Sequence, residues 1–416
     1  MTELRALTDT CVHCGFCLPA CPTYQVEAEE MDSPRGRIHL IQQMLDGAPA
    51  EGAITAHLDA CLGCLACVPA CPSGVAYDRI IEEARVLIEP ARGPLDRARR
   101  AGIFALFPHP RRLTLLRGPL RIAQRLRLIS TTARWLPATM AAMARLAPPV
   151  LPRVRLSPRM AARTADPPRA VVGLLTGCVQ SAFFSHVSAA TARVLTLEGC
   201  DVVIPPRQGC CGALARHTGR VDQARRQARR IVAAFANAGI DVVVTDVAGC
   251  GSAMKEYAEL LRDDPTWGPR AAEFASTVRD VTEFLASLPP VATRHPIAAT
   301  VAYHDACHLS HGQRVRSQPR TLLRDIPSLT LVPIADADMC CGSAGVYNLL
   351  SPGPASVLGR RKASAIRASG ADLVAAGNPG CLLQISAALG QDGGPPLPAI
   401  HTIQVLDASL TGASLP

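Results

Sequence analysis

The chain has 416 residues, 48% of them apolar and 19% charged, enough for about two to four packed domains and too apolar for a disordered chain. Aromatics make up only 4%, and the net charge of +9 comes with no recognised binding motif, so nucleic acid is excluded as a partner. The Met-Thr-Glu-Leu-Arg start carries no apolar signal segment, so the seventeen cysteines are expected in a reducing cytoplasm, as metal ligands or reactive thiols.

Cys11, Cys14, Cys17 and Cys21 precede Pro22 in a C-x2-C-x2-C-x3-C-P run, and Cys61, Cys64, Cys67 and Cys71 repeat it before Pro72. A cubane [4Fe-4S] cluster needs four thiolates. Three closely spaced cysteines wrap three corners, and in two-cluster ferredoxins the fourth ligates the other cluster. The expected sets are therefore Cys11, Cys14, Cys17 and Cys71 for one cluster and Cys61, Cys64, Cys67 and Cys21 for the other. Zinc would use one C-x2-C from each run and leave the third cysteine and the Cys-Pro unexplained. Gly15, Gly63 and Ala66 let backbone N–H groups approach the sulfurs. About forty residues separate the runs, with Ile38, Ile41, Met44 and Leu45 at helical spacing, and Ile80, Ile81, Ala84, Leu87 and Ile88 follow the second run. That favours a helical two-cluster ferredoxin domain over residues 1–90. His13, His39 and His57 are expected as surface or packing residues, since the thiolates complete both clusters.

Residues 91–168 read as an Arg- and Pro-rich helical connector. From Ala91 to Ala170 there are seventeen Arg and two acids, which leaves the rest of the chain about six charges negative. Ile122, Leu126 and Ile129 share one helical face and Arg121 and Arg125 another. The segment is either a solvated surface helix, a dock for an acidic partner, or a peripheral contact with anionic lipid on the inner face of the membrane. The uncharged stretches Ala170–Ala192 and Met339–Gly359 are broken by Gly, Pro and polar residues, so neither is expected to span a bilayer.

From residue 169 the chain repeats itself. Cys178 aligns with Cys307, Cys210-Cys211-Gly212 with Cys340-Cys341-Gly342, and Cys250 with Cys381, at offsets of 129, 130 and 131. A period that steady means a duplicated domain, expected at 169–290 and 291–416. The cysteines close short β-branched runs separated by amphipathic segments, the pattern of a parallel sheet with helices, whose ligands gather at the carboxyl ends of strands. Each copy thus brings four thiols to one rim: Cys178, Cys210, Cys211, Cys250 and Cys307, Cys340, Cys341, Cys381. These are candidate further iron–sulfur or zinc centres, or metal-free redox thiols. The adjacent pairs need kinked loops, which Gly212 and Gly342 permit. Only the second copy has His304, Asp305 and His308 around its first cysteine, so Cys307, Cys340, Cys341, His304 and His308 are the catalytic candidates. His217 and His311 are expected as polar loop residues and Cys200 as a buried filler. The fold class is α+β multidomain: a helical ferredoxin domain, then two tandem α/β cysteine-rich domains.

The sequence resembles the family of glycolate oxidase (glycolate dehydrogenase) iron–sulfur subunits over nearly its whole length. The residues that carry it are Cys11-Val-His-Cys-Gly-Phe-Cys, Ser33-Pro-Arg-Gly-Arg-Ile, Cys71-Pro-Ser-Gly-Val-Ala-Tyr, Gly209-Cys-Cys-Gly-Ala, Ala248-Gly-Cys-Gly and Cys340-Cys-Gly-Ser-Ala-Gly-Val-Tyr. The broader group holds subunits for glycerol-3-phosphate and lactate oxidation and heterodisulfide reductase. The resemblance implies a complex in which a separate FAD subunit oxidises glycolate and this chain carries electrons to quinone or another acceptor. D-Lactate or another 2-hydroxy acid, or glycerol-3-phosphate, is the alternative substrate, and a heterodisulfide-reductase-like thiol enzyme acting at the Cys-Cys-Gly sites the alternative activity. Heterodisulfide reductase ends each repeat in C-x2-C; here those last positions are Ala253 and Gln384, which argues against its noncubane cluster. No G-x-G-x-x-G fingerprint, Walker motif or G-x-S-x-G elbow is present, so neither FAD nor NAD is expected in this chain, which alone is not expected to be catalytic.

Overall fold

The duplication read from the cysteine offsets is visible in the strands of the computed structural model, which describes residues 2–128, 135–136 and 138–415. The first copy holds β1 (Arg159–Met160), β2 (Val171–Leu175), β3 (Asp201–Val203), β4 (Val242–Thr245) and β5 (Val278–Asp280), in the order β1-β3-β2-β4-β5. The second holds β6 (Ala299–His304), β7 (Leu329–Val332), β8 (Leu373–Ala376) and β9 (Ala399–His401), in the order β7-β6-β8-β9. Without the antiparallel edge strand β1, the two orders are the same, and every other pairing is parallel. Parallel strands require crossovers, and helices supply them. In the helix Val221–Phe235, Ala224, Ala228, Ile231, Val232 and Phe235 form the buried stripe while the intervening arginines face outward.

The two copies share a core. Leu174, Val202 and Val244 belong to the same apolar cluster as Val301, Tyr303 and Ala375. The helices Ser185–Leu197 and Thr402–Thr411 close this cluster, and Arg193 reaches Asp407 across it at 2.9 Å. Cys200 is fully buried there, as expected of a filler. Burying a side chain such as Leu195 is worth about 1.5–3 kcal/mol.

Residues 2–90 contain no strand among the described residues. Ile38 and Ile41 (helix Pro34–Leu45), Leu58 (Ala53–Ala60) and Ile80, Ile81 and Ile88 (Tyr77–Ile88) form their core. This is the helical ferredoxin arrangement. The connector forms helices Pro94–Leu106, Pro110–Arg125 and Ala138–Arg145. Ile122 and Leu126 are exposed on the predicted face, and Ile129 lies outside the described residues. Not all of its arginines are solvated: Arg92 and Arg100 are buried against Asp59, Glu89 and Asp96. The end of the expected connector, Arg159–Met160, joins the first repeat as its edge strand. Among the described residues, no helix is long and apolar enough to cross a membrane.

Candidate metal centres

The loop carrying Cys11, Cys14 and Cys17 follows the helix Thr2–Thr8 and is open to solvent, with Cys14 exposed and Val12 and Phe16 at 69% and 66% exposure. The cysteines of the second loop, Cys61, Cys64 and Cys67, are all buried. Gly63 adopts φ +62°, and its N–H points at the Cys61 sulfur at 3.4 Å, the approach expected of a small residue there. Pro22 starts a new helix with Cys21 as its N-cap. The Cys21 sulfur is buried beside Thr23 Oγ1 at 3.2 Å and Arg37 Nη1 at 3.9 Å. Cys21 is an electrostatic neighbour of Cys64 and Cys67, two thiols of the other run, and also of Cys17. Cys11, Cys17 and Cys71 each pack against the domain core, which itself includes Cys61 and Cys67.

Burial opposes ionisation of Cys61, but the positive charges of Arg37 and Arg85 outweigh it and hold its pKa below the usual thiol value. At Cys64 and Cys67, burial and neighbouring thiols dominate and push both well up. Buried sulfurs crowded in this way can ionise together only around a cation. The donor set fits cubane iron–sulfur clusters. Arg37 was not foreseen. It is 1% exposed, donates to the His57 carbonyl at 2.7 Å and faces both Cys21 and Cys61.

In each repeat the structure brings all four cysteines together. Cys178 contacts Cys210, Cys210 contacts Cys211, and the Cys211 and Cys250 sulfurs are 3.1 Å apart. Cys307 contacts Cys340, Cys340 contacts Cys341, and Cys341 contacts Cys381. Gly212 and Gly342 have φ +90° and +89°, so both kinked loops use the left-handed region. A Cβ on Gly342 would sit 2.6 Å from the Ala355 carbonyl oxygen, and one on Gly212 3.3 Å from that of Ala224.

The histidines depart from expectation. Burial lowers the His308 pKa to about 4, and its Nε2 lies 2.9 Å from the Gly63 carbonyl oxygen on the second cluster loop. Burial likewise keeps His304 neutral, and its ring is aimed at Cys341 and Cys381. Asp305 is engaged by Arg320 at 2.7 and 2.5 Å. The expected positive charge around Cys307 is therefore absent from these three side chains; the buried cation near Cys340 and Cys341 is Lys362. His217 is held by Glu82, and His311 by the Asp338 carbonyl and Arg316.

The repeats and the second cluster loop meet directly. Cys340 and Leu358 share an apolar cluster with Leu62, Cys64 and Ala66, and Cys307 packs against it. A cleft of about 1160 Å³ opens at this junction; all eight repeat cysteines line it, and connector residues Leu113, Leu120, Met143 and Leu146 wall it. Glu82 anchors the ferredoxin domain to the first repeat through Arg216 at 2.5 Å and His217 at 2.9 Å. Burial works against the Glu82 charge, but these two partners hold its pKa far below the usual carboxylate value. Glu82→Gln should cost about 3 kcal/mol by leaving Arg216 short of a buried partner. Amide exchange at 213–217 should then speed up about a hundredfold; unchanged exchange would show that the ion pair is not what holds the two together.

Comparison with known proteins covers each part of the chain. Residues 8–75 match a 4Fe-4S dicluster domain, 172–255 and 301–386 each match a cysteine-rich domain, and 95–147 match a glycolate oxidase iron-sulfur subunit linker region. The chain is 36% identical to the probable glycolate oxidase iron-sulfur subunit of Bacillus subtilis, over 92% of this chain and 89% of that one. It is 31% identical to the glycolate oxidase iron-sulfur subunit of Escherichia coli, over 93% and 91%. A crystal structure of a hypothetical protein from Helicobacter pylori shares the fold at TM-score 0.59 and 8% identity, over 92% of this chain and 68% of that one.

Proposed function

The chain belongs to the family of glycolate oxidase iron–sulfur subunits, and from that premise we propose that it carries electrons from a FAD subunit oxidising glycolate to glyoxylate toward quinone. The observation that carries this reading is the pair of cysteine runs, one on an exposed loop and one buried against the repeats. The clusters, when bound, supply one-electron carriers. Cys11, Cys14, Cys17 and Cys71 would hold one, and Cys61, Cys64, Cys67 and Cys21 the other. The exposed loop around Val12 and Phe16 is the surface offered to the FAD subunit. Arg37 and Arg85 balance thiolate charge at the buried loop. His308 and Leu62 fix that loop against the second repeat, which makes the repeat the exit side.

The cleft supports a quinone as acceptor: its connector wall is mostly apolar, with Arg92, Asp96, Arg99 and Arg100 also lining it, and the repeat cysteines line it as well. Leu115, Leu116, Ile122 and Leu126 are exposed on the same connector beside Arg121 and Arg125, a composition suited to an anionic membrane surface. The chain itself has no dehydrogenase site in this reading. Purified alone, it should neither bind flavin stoichiometrically nor oxidise glycolate, and adding the FAD subunit should restore dye reduction. Turnover by the chain alone would overturn the assignment.

A further inference from the structure

We infer that the second repeat holds a transition-metal centre in which the His304 ring nitrogen is a ligand alongside the Cys341 and Cys381 thiolates. One donor atom from each of the three lies within 4.8 Å of the others, and all three residues are buried. Sulfur and nitrogen ligands around a tetrahedral ion stand about 3.5–3.8 Å apart, given metal–sulfur and metal–nitrogen bonds of about 2.3 and 2.0 Å. Small side-chain rotations close that difference.

His304 has an unmet need that a metal satisfies. It is 0% exposed, and neither ring nitrogen has a hydrogen-bond partner. The Ala337 backbone approaches the ring, but not in the geometry of a normal hydrogen bond. An imidazole stripped of water on both sides is destabilising unless something replaces the lost bonds. Around it the site is ordered: Asn378 Nδ2 donates to the Cys381 sulfur at 3.4 Å, and Cys340 touches Cys341 and can complete the donor set.

The first repeat provides an internal control. The position equivalent to His304 is Leu175, which packs in an apolar cluster with Cys211. The position equivalent to Lys362 is Ile231, buried in the same cluster. Duplication thus left one copy with four thiols in an apolar setting and the other with an added nitrogen donor. The missing last cysteine of the C-x2-C, Gln384 here, is replaced from a different direction, by a strand-end histidine.

Two thiolates and an imidazole suit zinc or an iron of a cluster equally. The inference deepens the reading of the second repeat as the exit side, but its test does not depend on electron delivery. The anaerobically purified full chain would be assayed for iron, zinc and acid-labile sulfide, with X-ray absorption at the zinc edge and nitrogen hyperfine coupling by pulsed EPR. Metal beyond that of the two cubanes, with a nitrogen ligand, is expected. His304→Leu, which copies the first repeat, should lower occupancy of that metal at least tenfold and leave the cubane EPR signals intact, and His304→Cys should restore occupancy. Iron would support both the ligation and an electron-carrying repeat; zinc would support the ligation and overturn the exit role. No additional metal, or metal retained in His304→Leu, would overturn the inference. Should His304→Leu fail to fold, the wild-type nitrogen signal decides: its absence, with an all-sulfur site, overturns histidine ligation while leaving the exit role standing.

Discussion

Cys21→Ser should abolish the cluster of the second cysteine run, not the one beside which Cys21 stands in the sequence. Iron and labile sulfide should fall by about half, and the surviving EPR signal should be that of the exposed cluster. Cys71→Ser should do the reverse. The motive is physical. The Cys-Pro step makes Cys21 the N-cap of a new helix. Its sulfur lies in a buried pocket with Arg37, which also faces Cys61, and it is an electrostatic neighbour of Cys64 and Cys67. Since Cys17 also senses Cys21, the distinction has to be made by experiment on both variants. Loss of the exposed cluster in Cys21→Ser would mean that each run holds its own cluster. Accessibility separates the signals: the cluster near Cys14 should react first with added oxidants, and the one near Cys64 last.

Much of this arrangement was legible because cysteine chemistry constrains spacing. The four-cysteine runs, the offsets near 130 and the positive-φ glycines after each Cys-Cys pair all follow from ligand geometry and strand–loop–helix order. Side-chain direction was less accessible. His304 sits three residues before Cys307, so proximity in sequence suggested a shared role, yet it ends β6 and lies beside Cys341 on a loop and Cys381 in the first turn of the helix Pro379–Leu389. Domain docking left no local pattern either. Glu82 reads as one exposed acid on a helix, and only the fold brings Arg216 and His217 to it from more than 130 residues away. Arg37 and Arg92 illustrate the same limit. Arginine reads as a surface residue, but Arg37 on its helix and Arg92 in the loop before Pro94 are both buried because each finds several acceptors at once.

Cys341→Ser should cut electron delivery from the FAD subunit to quinone about a hundredfold or more while leaving both cubane EPR signals unchanged. Changes even to groups that merely support a metal ligand cost about 10–100-fold, so loss of a ligand should cost at least as much. Cys341 is 1% exposed and touches both Cys340 and Cys381, so it stands at the centre of the second thiol set. Serine nearly preserves its volume, and the cluster loops lie in a domain with its own core, which keeps the effect local. The matching change in the first repeat, Cys211→Ser, should reduce delivery less than tenfold. Its surroundings lack the histidine and the buried lysine: Leu175 and Ile231 stand in their places, and the repeat meets the ferredoxin domain through Glu82 and Arg85 rather than through Cys64. Equal losses in the two variants would make the repeats equivalent carriers. Undiminished quinone reduction in Cys341→Ser would make both structural, with the ferredoxin domain as the sole relay. The predicted inequality follows from one difference in packing: among the described residues, the second repeat is the one that lays its thiols against the buried cluster loop, with Cys340 within the same apolar cluster as Cys64 and Cys307 packed against it.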